Sequence, residues 1–174
     1  VLNHSGGDGI TSGGTINSGG TVKFGGANKL QNATVITINS GGTFDMNAFA
    51  DTIGSVNGSG TWTNSGAVQT LTLSAATGSF SGNITGAVQF AKQGTGTWTL
   101  SGANNTFSGE ARILEGTLNV NTISQLGANA VAQLGANTSG TLSYTGAGET
   151  SSGKTIRIGS STTLTQTGGG TIQN

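Results

Sequence analysis

Apolar residues along this chain alternate with polar ones in short runs: Val22-Lys23-Phe24, Phe44-Asp45-Met46, Leu71-Thr72-Leu73, Trp98-Thr99-Leu100, Leu118-Asn119-Val120, Leu142-Ser143-Tyr144 and Ile156-Arg157-Ile158. A period of two sends successive side chains to opposite sides of an extended strand, so one side of each run is buried and the other solvated. The charged Lys23, Asp45 and Arg157 fall on the outer phase. Slipping a strand by one residue would turn those charges inward, so the register is well specified. A threonine repeatedly stands just before the first inward residue, as at Thr21, Thr43, Thr61, Thr97, Thr117 and Thr141. Its β-branch favours extended backbone, and the glycine before it can supply the positive φ of a corner.

The runs recur. Ile16-Asn17-Ser18-Gly19-Gly20-Thr21 returns letter for letter as Ile38-Asn39-Ser40-Gly41-Gly42-Thr43, 22 residues on. Periods of about 20 to 50 residues mark solenoids, and 22 residues at about 3.3 Å each make three short strands with three corners. A second echo pairs Thr70–Gly82 with Thr97–Gly109 at an offset of 27, with 8 of 13 positions identical. A third pairs Gly58–Thr63 with Gly94–Thr99 at 36. Read as rung lengths, these offsets predict that rungs vary and that extra residues bulge at corners. The stretch 121–135, NTISQLGANAVAQLG, breaks the rhythm and predicts a local turn or a short 3₁₀ segment.

The segment Phe90 to Val120, FAKQGTGTWTLSGANNTFSGEARILEGTLNV, resembles the passenger-associated repeat of bacterial autotransporters, in which GxGTLTLxGxNTYTG followed by GTLxV marks one rung. The resemblance covers about Gly41 to Asn174, resuming in SGTLSYTG and SSGKTIRIG. Residues 1–39 fit as generic Gly-Gly-Thr rungs, nearer to those of AIDA-type adhesins. It implies an all-β fold: a right-handed, single-stranded parallel β-helix of about seven rungs, triangular or L-shaped in section. At about 4.8 Å per rung this is a rod roughly 34 Å long. Residues 1–174 are then one β-helix segment of a longer passenger.

Composition sharpens the picture. Of 174 residues 33 are glycine, none is proline or cysteine, and only 7% are charged, with a formal net charge of zero. A glycine-rich linker has no reason to keep Trp62, Trp98 and six phenylalanines in step with its glycines, so an ordered all-β solid is expected. Proline cannot donate to a sheet ladder, and a chain made almost wholly of stacked strands and tight corners excludes it. The lack of cysteine removes disulfide and thiolate chemistry and suits export in an unfolded state. Within these 174 residues neither a secretory leader nor an apolar run of about 18 residues is expected. A lone rung buries too little to fold, so rungs must stack and cover one another.

Candidate chemistry is sparse. His4 stands beside Ser5 and Asp8, and Gly6-Gly7-Asp8-Gly9 has the letters of one calcium-binding nonapeptide. A catalytic triad needs a rigid setting, and such calcium sites need many tandem copies, so neither is expected. Asp45 with Asp51 and Glu110 with Glu115 are the local carboxylate pairs; joined by Arg112 and Lys92 they would be the makings of a carbohydrate-active cleft. The plainer expectation for Glu110 and Arg112 is an exposed ion pair. Trp62 and Trp98 could be sugar platforms but share the phase of Val22, Phe44, Leu118 and Leu142, which predicts the core. Thr61, Thr63, Thr97 and Thr99 resemble the Thr-x-Thr ladders of ice-binding solenoids, which demand a regularity that variable rungs argue against. Scattered basic residues balanced by acidic ones offer no footprint for nucleic acid.

The resemblance therefore implies a non-enzymatic passenger segment of a Gram-negative bacterium, extracellular or on the cell surface. It needs no cofactor, no metal and no catalytic residues, and the segment itself does not insert into the membrane, since the translocator barrel is absent from the chain. It implies an adhesin or receptor-binding effector whose partner is a host surface protein, a glycan or another copy of itself. The rival expectations are a carbohydrate-active β-helix lyase or hydrolase, and an inert spacer for another domain.

Overall fold

A computed structural model describes residues 13–75, 77–135, 139–147, 153–159 and 170–173, the last group as backbone. Short strands follow one another along the chain. They begin with β1 (Gly14–Ile16), β2 (Thr21–Lys23), β3 (Val35–Ile38), β4 (Thr43–Asp45), β5 (Asp51–Ile53) and β6 (Ser55–Gly58). Next come β7 (Thr61–Leu73), β8 (Gly78–Phe80), β9 (Asn83–Lys92), β10 (Thr97–Leu100) and β11 (Ala111–Ile113). The series closes with β12 (Gly116–Val120), β13 (Val131–Leu134), β14 (Gly140–Tyr144), β15 (Thr155–Ile158) and β16 (Gly170–Gln173). Every strand pairing is parallel. The chain is a β-solenoid of about six turns, close to the seven expected.

The strands form two eight-stranded sheets. Side A runs in the order β1-β3-β6-β8-β10-β12-β14-β16. The other sheet is bent lengthwise, because β7 and β9 pass through the bend with an irregular register between Asn64 and Gln69. Its first half, side B, stacks β2, β4 and the start of β7. Its second half, side C, stacks β5, the end of β7, β9, β11, β13 and β15. Each turn is thus three-sided.

The register tests the echoes directly. Ile38 lies over Ile16 and Thr43 over Thr21, so the 22-residue repeat is a true vertical step. The longer offsets are not. Trp98 lies over Gly78 and under Leu118, steps of 20 in both directions. Trp62 belongs to side B and Trp98 to side A; Leu73 belongs to side C and Leu100 to side A. The echoes at 27 and 36 therefore relate strands of like chemistry on different sides of the coil. Rungs do vary, from 18 residues between Thr43 and Thr61 to 30 between Leu142 and Ile172.

The inward side chains make one continuous core. Phe24 and Phe44 meet edge to face at 5.1 Å. Above them Phe90 touches Trp62 at 6.2 Å, Trp98 at 5.6 Å and Phe107 at 5.6 Å. Such pairs add about 0.5–1.5 kcal/mol each beyond the area they bury. Trp62 and Trp98 are fully buried, as the phase of their strands requires. The break at 121–135 is a 3₁₀ turn over Ile123–Leu126, held by buried Gln125, whose Oε1 accepts from the amides of Asn121 and Thr122.

One corner is set by glycine. Between sides A and B, Gly42, Gly60, Gly82 and Gly102 stand in a column. A Cβ on Gly60 would meet the Gly42 carbonyl oxygen at 2.7 Å, one on Gly82 the Gly60 oxygen at 1.9 Å, and one on Gly102 the Gly82 oxygen at 1.8 Å. The amides of Thr61 and Asn83 donate to the Gly42 and Gly60 carbonyls, which draws the rungs together there. Backbone approaches backbone so closely that no side chain fits.

Candidate functional site

His4, Ser5 and Asp8, and the Gly6–Gly9 segment, lie outside the described residues. The remaining candidates fall in separate places. Asp51 Oδ2 accepts from the amides of Lys29 at 2.8 Å and Leu30 at 3.0 Å, and its Oδ1 from the Thr52 amide. Residues 29–30 make no regular strand under β5, and the carboxylate supplies the acceptors that a ladder would.

Asp45 holds the bend between sides B and C. Its Oδ1 accepts from the amides of Asn47 at 2.8 Å and Ser65 at 3.0 Å, and its Oδ2 from the Ser65 hydroxyl at 2.8 Å. The Lys23 ammonium stands 3.2 Å away. The outer phase of the strand is as expected, but the side chain is buried, because the 65–68 bulge folds over it. Burial pushes the carboxyl upward; the Ser65 amide and hydroxyl, the Asn47 amide and Lys23 together outweigh it and hold the group below 3.8.

Lys92 lies on the inward phase after Phe90 and is fully buried at the corner between sides C and A. Its ammonium donates to the carbonyls of Gly94 at 2.7 Å, Gln93 at 3.0 Å and Glu115 at 3.0 Å. The Glu115 carboxylate accepts from the Gly94 amide at 3.1 Å. Burial lowers the Lys92 pKa to about 8, against an opposing pull from Glu115. The side chain ties together two successive corners.

Glu110 and Arg112 do not pair with each other. Glu110 takes Arg157, two strands further along side C. Arg112 Nε donates to Gln133 Oε1 at 3.2 Å, in the strand between. Arg112, Gln133 and Arg157 stand in one file. The adjacent Gln133 takes Arg112, while the long Arg157 side chain reaches diagonally across the intervening strand to Glu110. The six residues proposed for a cleft are thus spread over a bend, a side and a corner. Among the described residues no three His, Asp or Glu side chains gather.

A shallow cavity of about 290 Å³ opens beside the 3₁₀ turn, lined by Ser124, Gly127, Ala128, Asn129, Ala130, Gly153 and Lys154. The Lys154 ammonium is bound to the backbone carbonyls of Leu126, Gly127 and Asn129, so its donors face the wall.

Two further features emerge only from the fold. The first is a set of saturated corner asparagines. Asn64 Nδ2 donates to the carbonyls of Ala67 and Ala87 while its Oδ1 takes the amides of Ala48 and Gly66. Asn105 Oδ1 takes the Ile84 amide, and its Nδ2 reaches the carbonyls of Gly102 and Gln125. Asn64 follows Thr61-Trp62-Thr63 and precedes Ser65-Gly66-Ala67, whereas Asn105 follows Gly102-Ala103-Asn104 and precedes Thr106-Phe107, so no shared local pattern marks the two.

The second is the outer surface of side A. Register stacks Thr97, Thr117 and Thr141 in one file and Thr15 with Thr37, Thr37 with Asn57, Ser79 with Thr99, and Thr99 with Asn119 in the next. The Ser79 amide donates to Asn57 Oδ1, which carries that second file through the middle rungs. At the strand ends Asn17, Asn39, Ser59, Ser81, Ser101 and Asn121 form a third file, all exposed. Thr61 and Thr63 belong instead to side B, where Thr85 Oγ1 donates to Thr63 Oγ1 at 3.0 Å.

Residues 90–120 match the family model of the passenger-associated-transport-repeat. No curated protein matches the chain. Nor does any solved structure. The matched stretch runs from Phe90, the hub of the aromatic cluster, through β10 and β11 to the end of β12, about one and a half turns of the coil. The repeat and the β-solenoid together fit an autotransporter passenger built with such repeats. Among the described residues no helix is long and apolar enough to cross a membrane.

Proposed function

We propose that this chain is a stretch of a non-enzymatic passenger, secreted or displayed by a Gram-negative bacterium, that acts as an adhesin or receptor-binding effector through the outside of its solenoid. The observation that carries the reading is that the passenger repeat falls on about one and a half consecutive turns of the core. The repeat's apolar letters, Phe90, Trp98, Leu100, Phe107, Ile113 and Leu118, are all buried, so the family signature specifies the column and leaves the outward residues to specify a partner. The disposition of the carboxylates supports a binding role, since Asp45 and Asp51 are each taken up by backbone amides. The partner is a host surface protein or glycan.

The test is display of the chain on cells through a translocator barrel, with binding to host cells as readout. A second version replaces the outward residues of sides A, B and C while keeping the inward ones. Binding by the first and loss in the second is the expected result. Equal binding by both would make the segment a spacer. Depolymerisation of a polysaccharide by the purified chain would restore the enzyme.

A further inference from the structure

Side A differs from the rest of the surface. Among the described residues no lysine, arginine, aspartate or glutamate lies in its strands, whereas Lys23 and Asp45 lie on side B and Arg112 and Arg157 on side C. Its outward positions are threonine, serine and asparagine in files along the axis, apart from exposed Val35 in β3, repeating at about 4.8 Å per turn with about 7 Å between files. From β1 to β14 the array extends for about 29 Å. Variable rung length does not break it, because consecutive strands of side A pair residue for residue while the added residues fall in the corners.

Many of these side chains are unspent. Among the described residues, Thr37, Thr97, Thr99, Thr117 and Asn119 have no side-chain hydrogen bond to protein, in contrast to saturated Asn64 and Asn105. Hydroxyls and amides both donate and accept, so the matching ligand must do the same. A ligand rich in charge would be desolvated here without a counter-charge, which costs more than it returns. A single small molecule would use one or two rungs of a seven-rung array. What fits is a neutral polymer bearing hydroxyls at each repeat, with a step near that of the strands.

We infer that side A is a docking face for an extended, uncharged polysaccharide lying along the solenoid axis across successive rungs. The inference rests on the binding role proposed above and names its partner class. No aromatic ring is exposed on the face among the described residues, so each rung contributes weakly and affinity comes from many rungs engaged at once. Contact is through Thr97, Thr99, Thr117 and Asn119 on the adjacent strands β10 and β12, with the other rungs adding to it.

The test is affinity electrophoresis of the purified chain through gels carrying hydroxyethyl cellulose, galactomannan or dextran, with alginate as an anionic control. Retardation by at least one neutral polymer and none by alginate is expected. The pair Thr99→Lys with Asn119→Lys should weaken retardation about tenfold or more, since a charge meets neutral hydroxyls. The pair Thr97→Val with Thr117→Val keeps the β-branched shape and the fold while removing two donor–acceptor groups, and should weaken it several-fold. Thr72→Lys on side C should leave it unchanged, and circular dichroism checks that all variants fold. The proposal is overturned if no neutral polymer retards the chain, or if retardation is equal in the side A and side C variants. It is likewise overturned if side A substitutions alter only sedimentation, marking a second copy as the occupant, or only ice-crystal growth, marking ordered water. Host-cell binding that survives the side A variants would remove this face and leave the adhesin reading standing. Polysaccharide binding by a chain that does not bind host cells would do the reverse.

Discussion

Trp98 donates its indole N–H to the carbonyl of Val56, two strands below on side A, at 2.9 Å. Trp62, equally buried, has no partner for its own Nε1 among the described residues. The two tryptophans are similar in burial and unlike in satisfaction. Trp98→Phe removes a donor and strands a buried acceptor, while Trp62→Phe removes an N–H that was already unpaired. Both open a cavity, so the difference isolates the hydrogen bond. Trp98→Phe should cost about 1–2 kcal/mol more in urea unfolding than Trp62→Phe. Equal losses would mean that the indole bond contributes nothing.

Lys92 gives a prediction with a defined sign. Its three carbonyl partners lose their donor in Lys92→Met, which should destabilise the fold by about 1–3 kcal/mol at neutral pH. Burial lowers the folded-state pKa from 10.5 to about 8, so between those values the unfolded chain holds more protons than the folded one. Stability from this group therefore rises with pH across that window. The urea midpoint of the native chain relative to Lys92→Met, measured from pH 7.5 to 10, should climb. A flat difference would show that the group titrates alike in both states.

Asp45 behaves in the opposite sense. With its carboxyl held below 3.8, the stability it contributes is present above that value and is lost as pH falls through the folded-state value. Asp45→Asn should remove this acid-side slope and cost about 1–3 kcal/mol at pH 7, since its Nδ2 would present a donor where the Ser65 hydroxyl and the Lys23 ammonium need an acceptor. Unfolding curves from pH 2 to 6 decide it; an unchanged slope in the variant would assign acid sensitivity to other groups.

Two glycines separate backbone strain from close approach. Gly19 has φ +77° and open space around its α-carbon, so Gly19→Ala should cost about 1–2 kcal/mol, the price of the left-handed conformation. Gly82 needs no unusual φ, but an added Cβ would stand 1.9 Å from the Gly60 oxygen. Gly82→Ala should cost about 3 kcal/mol or more, because two rungs must part. Thermal unfolding of both variants gives the comparison, and similar shifts would show that the corner yields.

The inward phase was legible in the sequence because alternation reports it residue by residue: Trp62, Trp98, Phe44 and Leu118 all lie where the period of two puts them. The same phase carried unused information at Lys92, which follows Phe90 at the inward position and is buried accordingly. Partners on other rungs were not legible. Glu110 and Arg112 look like a pair in the text, and stacking instead gives Glu110 to Arg157, 47 residues away. The side to which a run belongs was hidden as well, because Trp62 and Trp98 share letters and neighbours while occupying different sheets. Alternation encodes in or out; nothing local encodes which way the coil is turning.

The column Gly42, Gly60, Gly82, Gly102 leaves one edge of the molecule without side chains to accommodate a larger residue or an inserted one. The same corner still varies in length outside the column, with four residues between β3 and β4, two between β6 and β7, and the 3₁₀ turn after β12. A lineage of such rods would keep a short crease where backbone meets backbone, and drift in sequence there would be tolerated least while the other contours diversify.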